Sequence, residues 1–318
     1  MSPEVFDLLF DDARLARLRA LCPSSPRGID EEDISDTEIL LTSWGAPRLD
    51  GPLLDRMPRL RAVVHAAGSV QQLVSDELWE RGITVTSAAD ANAVPVAEYT
   101  FATIILAFKR AFVHMRSPAT VLEWRDLVGS TRYGSVGRTV GIVGFSRIGR
   151  RVVRMLGQLD GIRILVVDPF VSRETVAQAG AELVSLDDML GQADVLSLHA
   201  PALPETRHMI GAAELAALRD GATVINTARG WILDHDALLV ECASGRLDAV
   251  LDVTEPDPLP VDAPLRRLPN VALTPHIAGS MGSEARRLAD SALNDVEALL
   301  RGGVPSQVIT RLDMEMSA

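Results

Sequence analysis

Apolar residues along this chain fall in short runs separated by stretches of helical period. Residues 11–21 carry leucines at helical spacing, and a Pro-, Ser-, Gly- and Asp-rich link follows at 23–30. Strand-like runs come next at 38–42, 61–65 and 83–86, with helix-like stretches such as 75–81 between them. Residues 94–115 read as one long, mostly apolar helix, and a helix apolar on most sides is a buried one. A second alternating series begins near Thr139, with strands predicted at 140–143, 164–167, 195–198, 223–226, 249–252 and 271–273. Its helices are predicted at 147–159, 173–179 and 234–244, and a last helix at 283–301 is stopped by Gly302-Gly303. Strands alternating with helices predict parallel sheets.

Several of these runs end on a polar residue. Arg229 follows in Asn226-Thr227-Ala228-Arg229-Gly230, Asp257 in Glu255-Pro256-Asp257-Pro258, and His276 in Thr274-Pro275-His276-Ile277-Ala278-Gly279. Ligands of an open parallel sheet bind just beyond the carboxyl ends of its strands. A cation, a carboxylate and an imidazole would therefore meet at one crevice. Such a set suits chemistry on a carbonyl or alcohol beside a carboxylate.

The first strand of the second series runs into Gly144-Phe145-Ser146-Arg147-Ile148-Gly149. This is the dinucleotide pattern G-x-G-x-x-G with serine at the second glycine. Gly144 would make the tight turn, and Gly149 would let helix and strand approach. The helix start would face a pyrophosphate with its partial positive charge. Asp168 ends the next strand at the spacing of a ribose-binding acid. Pro169 and Phe170 follow it where arginines would accommodate a 2′-phosphate, so NAD is favoured over NADP.

Composition narrows the class. A length of 318 residues suggests two domains, and 47% hydrophobic with 23% charged residues is ordinary globular composition. The net charge of −12 argues against a general nucleic-acid binder. No apolar run reaches the roughly 18 residues of a membrane span, and the N-terminus lacks the pattern of a secretory signal. Cys22 and Cys242 have no paired spacing, which fits a reducing cytoplasm and no structural zinc. No metal site is expected. His65, His114, His199, His208 and His235 read as structural or exposed, and Trp44, Trp79, Trp124 and Trp231 as packing, with Trp231 also able to wall the site.

With these motifs, residues 35–305 resemble the NAD-dependent D-isomer-specific 2-hydroxyacid dehydrogenases. The resemblance rests on 144–149 with Asp168, on Leu198-His199-Ala200-Pro201 running to Glu205-Thr206-Arg207-His208, and on 226–230, 252–260 and 274–279. It implies two doubly wound α/β domains, a Rossmann NAD-binding domain at 110–282 inserted in a discontinuous flavodoxin-like substrate domain at 1–109 and 283–318. It implies that Arg229 binds the substrate carboxylate and that His276 transfers a proton at the carbonyl oxygen. The carboxylate partner of that histidine aligns with Asp257, where the family usually has glutamate, and Glu255 is the alternative. Arg147 and Ile148 would lie at the pyrophosphate, and His199, Pro201 and Thr206 in a segment skirting the cofactor. Thr227, Ala228, Asp252 and Gly279 would line the nicotinamide, and Gly68, Ser69 and Val70 would form a substrate loop of backbone N–H donors. Ser69, Val70 and Trp231 would face the substrate's C3 group.

The family usually opens with a strand, which here is either missing or formed by residues 5–10. The expected substrate is a 2-oxo or 2-hydroxy acid of the glyoxylate or hydroxypyruvate type, turned over in a cleft that closes. A homodimer through the NAD-binding domain is implied too. One alternative is an NAD-sensing corepressor-like regulator with weak or no catalysis. Another is formate or phosphite oxidation, although the formate-type site has glutamine at the acid position.

Overall fold

The computed structural model describes residues 1–22, 28–116, 128–130 and 132–316; residues 23–27 of the polar link and Trp124 lie outside them. Contacts divide the chain into two compact units, Met1–Pro95 with Gly279–Ala318, and Val96–Ala278.

In the first unit β1 (Ile39–Thr42), β2 (Ala62–His65) and β3 (Thr84–Ser87) run parallel in chain order, and Val308–Ile309 adds antiparallel to β3. Residues alternate between the faces of a strand. Ala62 and Val64 accordingly pack with Leu288, Ala292 and Leu293 of the helix Ala285–Leu300, while Val63 and Val85 pack with Leu49, Leu54 and Leu78. Residues 5–10 supply no opening strand, because Pro3–Leu9 is a helix. Its start is written in the sequence: Ser2 accepts from the Val5 N–H, Pro3 stands in the first turn and Glu4 follows.

Among the described residues the second unit holds seven parallel strands: β4 (Thr139–Val143), β5 (Arg163–Val167), β6 (Glu182–Leu183), β7 (Val195–Leu198), β8 (Thr223–Asn226), β9 (Asp248–Leu251) and β10 (Val271–Leu273). Their order is β10-β9-β8-β7-β4-β5-β6. The order reverses at β4, which gives the doubly wound Rossmann arrangement and places a crevice at the ends of β4 and β7. Every residue of β4, β7, β8 and β9 is buried, as in strands covered on both faces. The two-residue β6 has too short an apolar run to be foreseen.

The predicted single helix over 94–115 is two helices, Ala89–Phe108 and Ala111–Arg116. Arg110 breaks them with φ 50, and its guanidinium pairs with the buried Asp248 at 3.1 Å. A tertiary ion pair thus overrides helical propensity, with no glycine or proline to announce it. The twenty-residue Ala89–Phe108 is, by length and composition alone, long and apolar enough to cross a membrane, although Asp90 and Glu98 interrupt its apolar run. Half of its apolar window is buried inside the protein, and the Thr100 and Thr103 hydroxyls bond back to its own backbone.

Two buried histidines make stability depend on pH. His65 ends β2 with Nδ1 2.9 Å from Thr42 Oγ1, and burial pushes its pKa down to about 4. Burial likewise pushes His199 down to about 3. Both are neutral when folded, whereas the unfolded chain takes up protons near pH 6.5. Their contribution is therefore complete above about pH 6.5 and is lost as pH falls toward the folded values. For His65 the loss amounts to on the order of 3 kcal/mol. Tm measured from pH 7.5 to 4.5 should fall below pH 6.5, and fall less in His65→Gln; equal slopes would contradict this.

Candidate active site

The turn after β4 is shaped by close backbone approach. Gly144 has φ 96 and donates its N–H to the Val167 carbonyl at 2.8 Å. A Cβ there would lie 2.7 Å from the carbonyl of His199, just past β7, and one on Gly149 would lie 2.0 Å from the Gly144 oxygen. Neither position admits a larger residue. Ser146 has φ −84, outside the left-handed region, so this second position of the fingerprint does not require glycine for a positive φ. Its side chain makes no cap bond, and the exposed Ser146 and Arg147 start the helix Arg147–Leu156. Asp168 accepts from the Phe145 N–H at 2.7 Å and the Phe170 N–H at 2.8 Å, which ties it to the glycine turn. Each carboxylate oxygen keeps a lone pair for a ribose hydroxyl.

Beside this turn, His199 Nε2 lies 2.9 Å from Ser197 Oγ, while its buried Nδ1 has no partner among the described residues. Thr206 donates to the Pro201 carbonyl at 2.6 Å and accepts from the Leu203 N–H, closing the loop that follows. A cradle that any Cβ would fill, a bare helix start and a buried orphan nitrogen fit a dinucleotide.

The other strand ends gather the reactive groups. Past β8, the buried Asn226 amide accepts from the Ala228 N–H at 3.0 Å and donates to the Arg229 carbonyl at 2.8 Å. Arg229 leaves this turn with its guanidinium largely withdrawn from water and one N–H on the Ala228 carbonyl. Burial lowers its pKa, and the charge of Asp257 works against that shift. Among the described residues no carboxylate lies within ion-pair distance, so a cation with spare donors stands ready for an anion. Gly230 holds this turn against the segment after β9: a Cβ there would lie 2.1 Å from the Thr254 carbonyl.

That segment carries Asp257, whose Oδ2 lies 2.9 Å from Nδ1 of His276, beyond β10. His276 sits in the left-handed region at φ 57 and donates its N–H to the Asp252 carbonyl at 2.9 Å. The Asp252 carboxylate, 1% exposed, accepts from Thr274 Oγ1, from the Ile277 N–H and from the Ala278 N–H. A buried anion with three donors thus folds the histidine loop around itself. Glu255 is turned elsewhere, toward Arg207 at 3.3 Å and His208 at 3.5 Å. Arg207 lies over the Trp231 ring, and the Trp231 indole donates to the Leu203 carbonyl.

In the first unit, Gly68 packs so close to Asn92 that a Cβ would lie 3.0 Å from its amide nitrogen. The Asn92 amide also accepts from the Ser280 N–H, next to Gly279. Ser69 Oγ accepts from the Gln71 N–H. The Val70 side chain is 4% exposed and belongs to the core, so only its backbone can meet a ligand.

Residues 102–278 match the model of the D-isomer specific 2-hydroxyacid dehydrogenase, NAD binding domain. The chain belongs to that family. It is an NAD-dependent oxidoreductase of 2-oxo and 2-hydroxy acids. It is 32% identical over 284 residues to a glyoxylate reductase of Korarchaeum cryptofilum, covering 88% of this chain and 85% of that one. It is 31% identical to a D-3-phosphoglycerate dehydrogenase of Methanocaldococcus jannaschii over 87% of this chain, but spans only 52% of that protein. The structure of a D-lactate dehydrogenase from Aquifex aeolicus, complexed with NAD and lactic acid, superimposes with a TM-score of 0.71 at 26% identity over 94% of this chain and 97% of that one. These comparisons lend no support to the regulatory alternative.

Two further residues of this dehydrogenase, Tyr99 and Thr100, bear on the site. Tyr99 bonds Thr274 of the histidine loop and Thr100 bonds Thr227 of the arginine turn, each at 2.8 Å. Hydroxyl residues inside an apolar helix gave no signal of this.

Proposed function

We propose that this dehydrogenase reduces small, unphosphorylated 2-oxo acids of the glyoxylate and hydroxypyruvate type, with Arg229, His276 and Asp257 as its catalytic residues. The observation that carries the reading is Arg229, a partly desolvated guanidinium without a carboxylate partner among the described residues, within electrostatic reach of the Asp257–His276 pair. A planar fork with spare N–H groups binds a carboxylate through two parallel bonds, and its charge draws electrons from the adjacent carbonyl. His276 gives its proton to the carbonyl oxygen in reduction and takes it back in oxidation. Nδ1 is occupied by Asp257, so Nε2 is the nitrogen that meets substrate. Asp257 orients the ring and balances the charge of its protonated form.

NADH, when bound, supplies the hydride to C2. Gly144, Ser146, Arg147, Ile148 and Gly149 would hold the pyrophosphate and Asp168 the ribose, with His199, Pro201 and Thr206 along one side and Thr227, Ala228 and Asp252 toward the nicotinamide. We also propose a cytoplasmic homodimer, supported by the two unpaired cysteines and by the family resemblance.

A panel of glyoxylate, hydroxypyruvate, pyruvate, phenylpyruvate and phosphohydroxypyruvate tests the substrate class by NADH absorbance, with NADPH as control. The highest kcat/KM is expected for glyoxylate or hydroxypyruvate, with NADH preferred. Preference for phosphohydroxypyruvate would contradict the unphosphorylated class.

A further inference from the structure

Two hydroxyl chains run from consecutive residues of the helix Ala89–Phe108 to the loops that carry His276 and Arg229. Proton counting fixes their direction. Thr274 Oγ1 donates its one proton to Asp252 Oδ1 at 2.6 Å, so in its 2.8 Å contact with Tyr99 the tyrosine hydroxyl must be the donor. Thr100 Oγ1 donates to the Val96 carbonyl at 2.7 Å, so in its 2.8 Å contact Thr227 is the donor.

The first chain ends on a carboxylate that organises the whole histidine loop. Asp252 gathers Thr274, Ile277 and Ala278, while its own carbonyl accepts from the His276 N–H. His276 is thereby held at φ 57, a conformation that costs a non-glycine residue roughly 1 kcal/mol or more and persists only where neighbours over-determine it. The second chain fixes Thr227, two residues before Arg229, in the turn closed by Asn226. One rigid helix therefore sets both loops at adjacent positions, Tyr99 for the acid–base group and Thr100 for the anion-binding group.

We propose that Tyr99 is a positioning residue for His276, acting through Thr274 and Asp252, and that Thr100 positions Arg229 through Thr227. The proposal rests on the catalytic roles given above. Tyr99→Phe removes one donor and keeps the ring. It is expected to lower kcat about 5- to 20-fold, the worth of a hydrogen bond in a charge-bearing network, with KM for the 2-oxo acid within two-fold. Thr100→Val should instead raise that KM, with the smaller change in kcat. Thr274→Ser keeps the relay hydroxyl and should retain most of kcat, whereas Thr274→Val removes the donor to Asp252 itself and should lower kcat at least as much as Tyr99→Phe. Unchanged kcat in Tyr99→Phe would overturn the proposal.

A second readout needs no substrate. Hydrogen exchange at the Ile277 and Ala278 amides should quicken in Tyr99→Phe, with Tm close to the parent's, and unchanged exchange would overturn the clamp. A parent enzyme that reduces no 2-oxo acid would sink the catalytic assignment instead, and the exchange rates would still decide the role of Tyr99.

Discussion

His276→Asn is expected to lower kcat by about 10²- to 10⁴-fold, the usual worth of a positioned general acid. Asparagine can still accept or donate one hydrogen bond, but it cannot release a proton to a developing alkoxide. The loop should survive the change. Its shape comes from Asp252, which holds the backbone at 276, 277 and 278, and the imidazole itself is half exposed with Asp257 as its one side-chain hydrogen-bond partner among the described residues. Asparagine also tolerates the left-handed backbone at this position better than most residues. NADH binding and Tm should therefore stay near the parent's while turnover collapses. A variant that keeps more than a tenth of the parent kcat would remove His276 from the acid–base role.

Arg229→Ala is expected to cut kcat/KM for a 2-oxo acid by about 10³-fold, in line with the cost of deleting one partner of a desolvated charge pair. The expected effect on stability has the opposite sign. The guanidinium is largely buried, and among the described residues its charge is answered only at a distance, by Asp257. Desolvation of that cation is unfavourable in the ligand-free protein. Its removal should leave Tm unchanged or raised, as at sites where stability is given up for binding. Arg229→Lys keeps the charge and loses the fork, and should recover only part of the activity. Added guanidinium should partly restore the alanine variant. Activity near the parent's in Arg229→Ala would remove it from the site.

Much of this was legible from pattern. Runs rich in Val, Ile and Leu located β4, β5 and β7–β10, because a strand buried on both faces has little choice of composition. The same logic put the candidate residues Arg229, Asp257 and His276 just beyond strand ends, since a parallel sheet delivers all its carboxyl ends to one edge. The choice between Asp257 and Glu255 was only partly legible: motif alignment favoured Asp257 but left Glu255 open. Two acids two residues apart fit the same motif, and only the loop's path puts Asp257 on His276 while Arg207 and His208 take Glu255. Tyr99 and Thr100 were hidden for a related reason. A threonine that bonds its own helix looks the same in sequence whether or not its oxygen serves a distant loop. The helix break at Arg110 was hidden too, because its cause, Asp248, lies 138 residues away. Local elements and strand-end chemistry follow from local pattern, whereas the bonds that aim the site are long-range.

The most direct measurement is a single turnover. Enzyme saturated with NADH is mixed rapidly with glyoxylate or hydroxypyruvate, and the loss of NADH absorbance is followed in the parent and in His276→Asn at equal NADH occupancy. A fast, stoichiometric loss is expected in the parent and one slower by about two orders of magnitude or more in the variant. No NADH oxidation in the parent with cofactor bound, or equal rates in the two proteins, would contradict it.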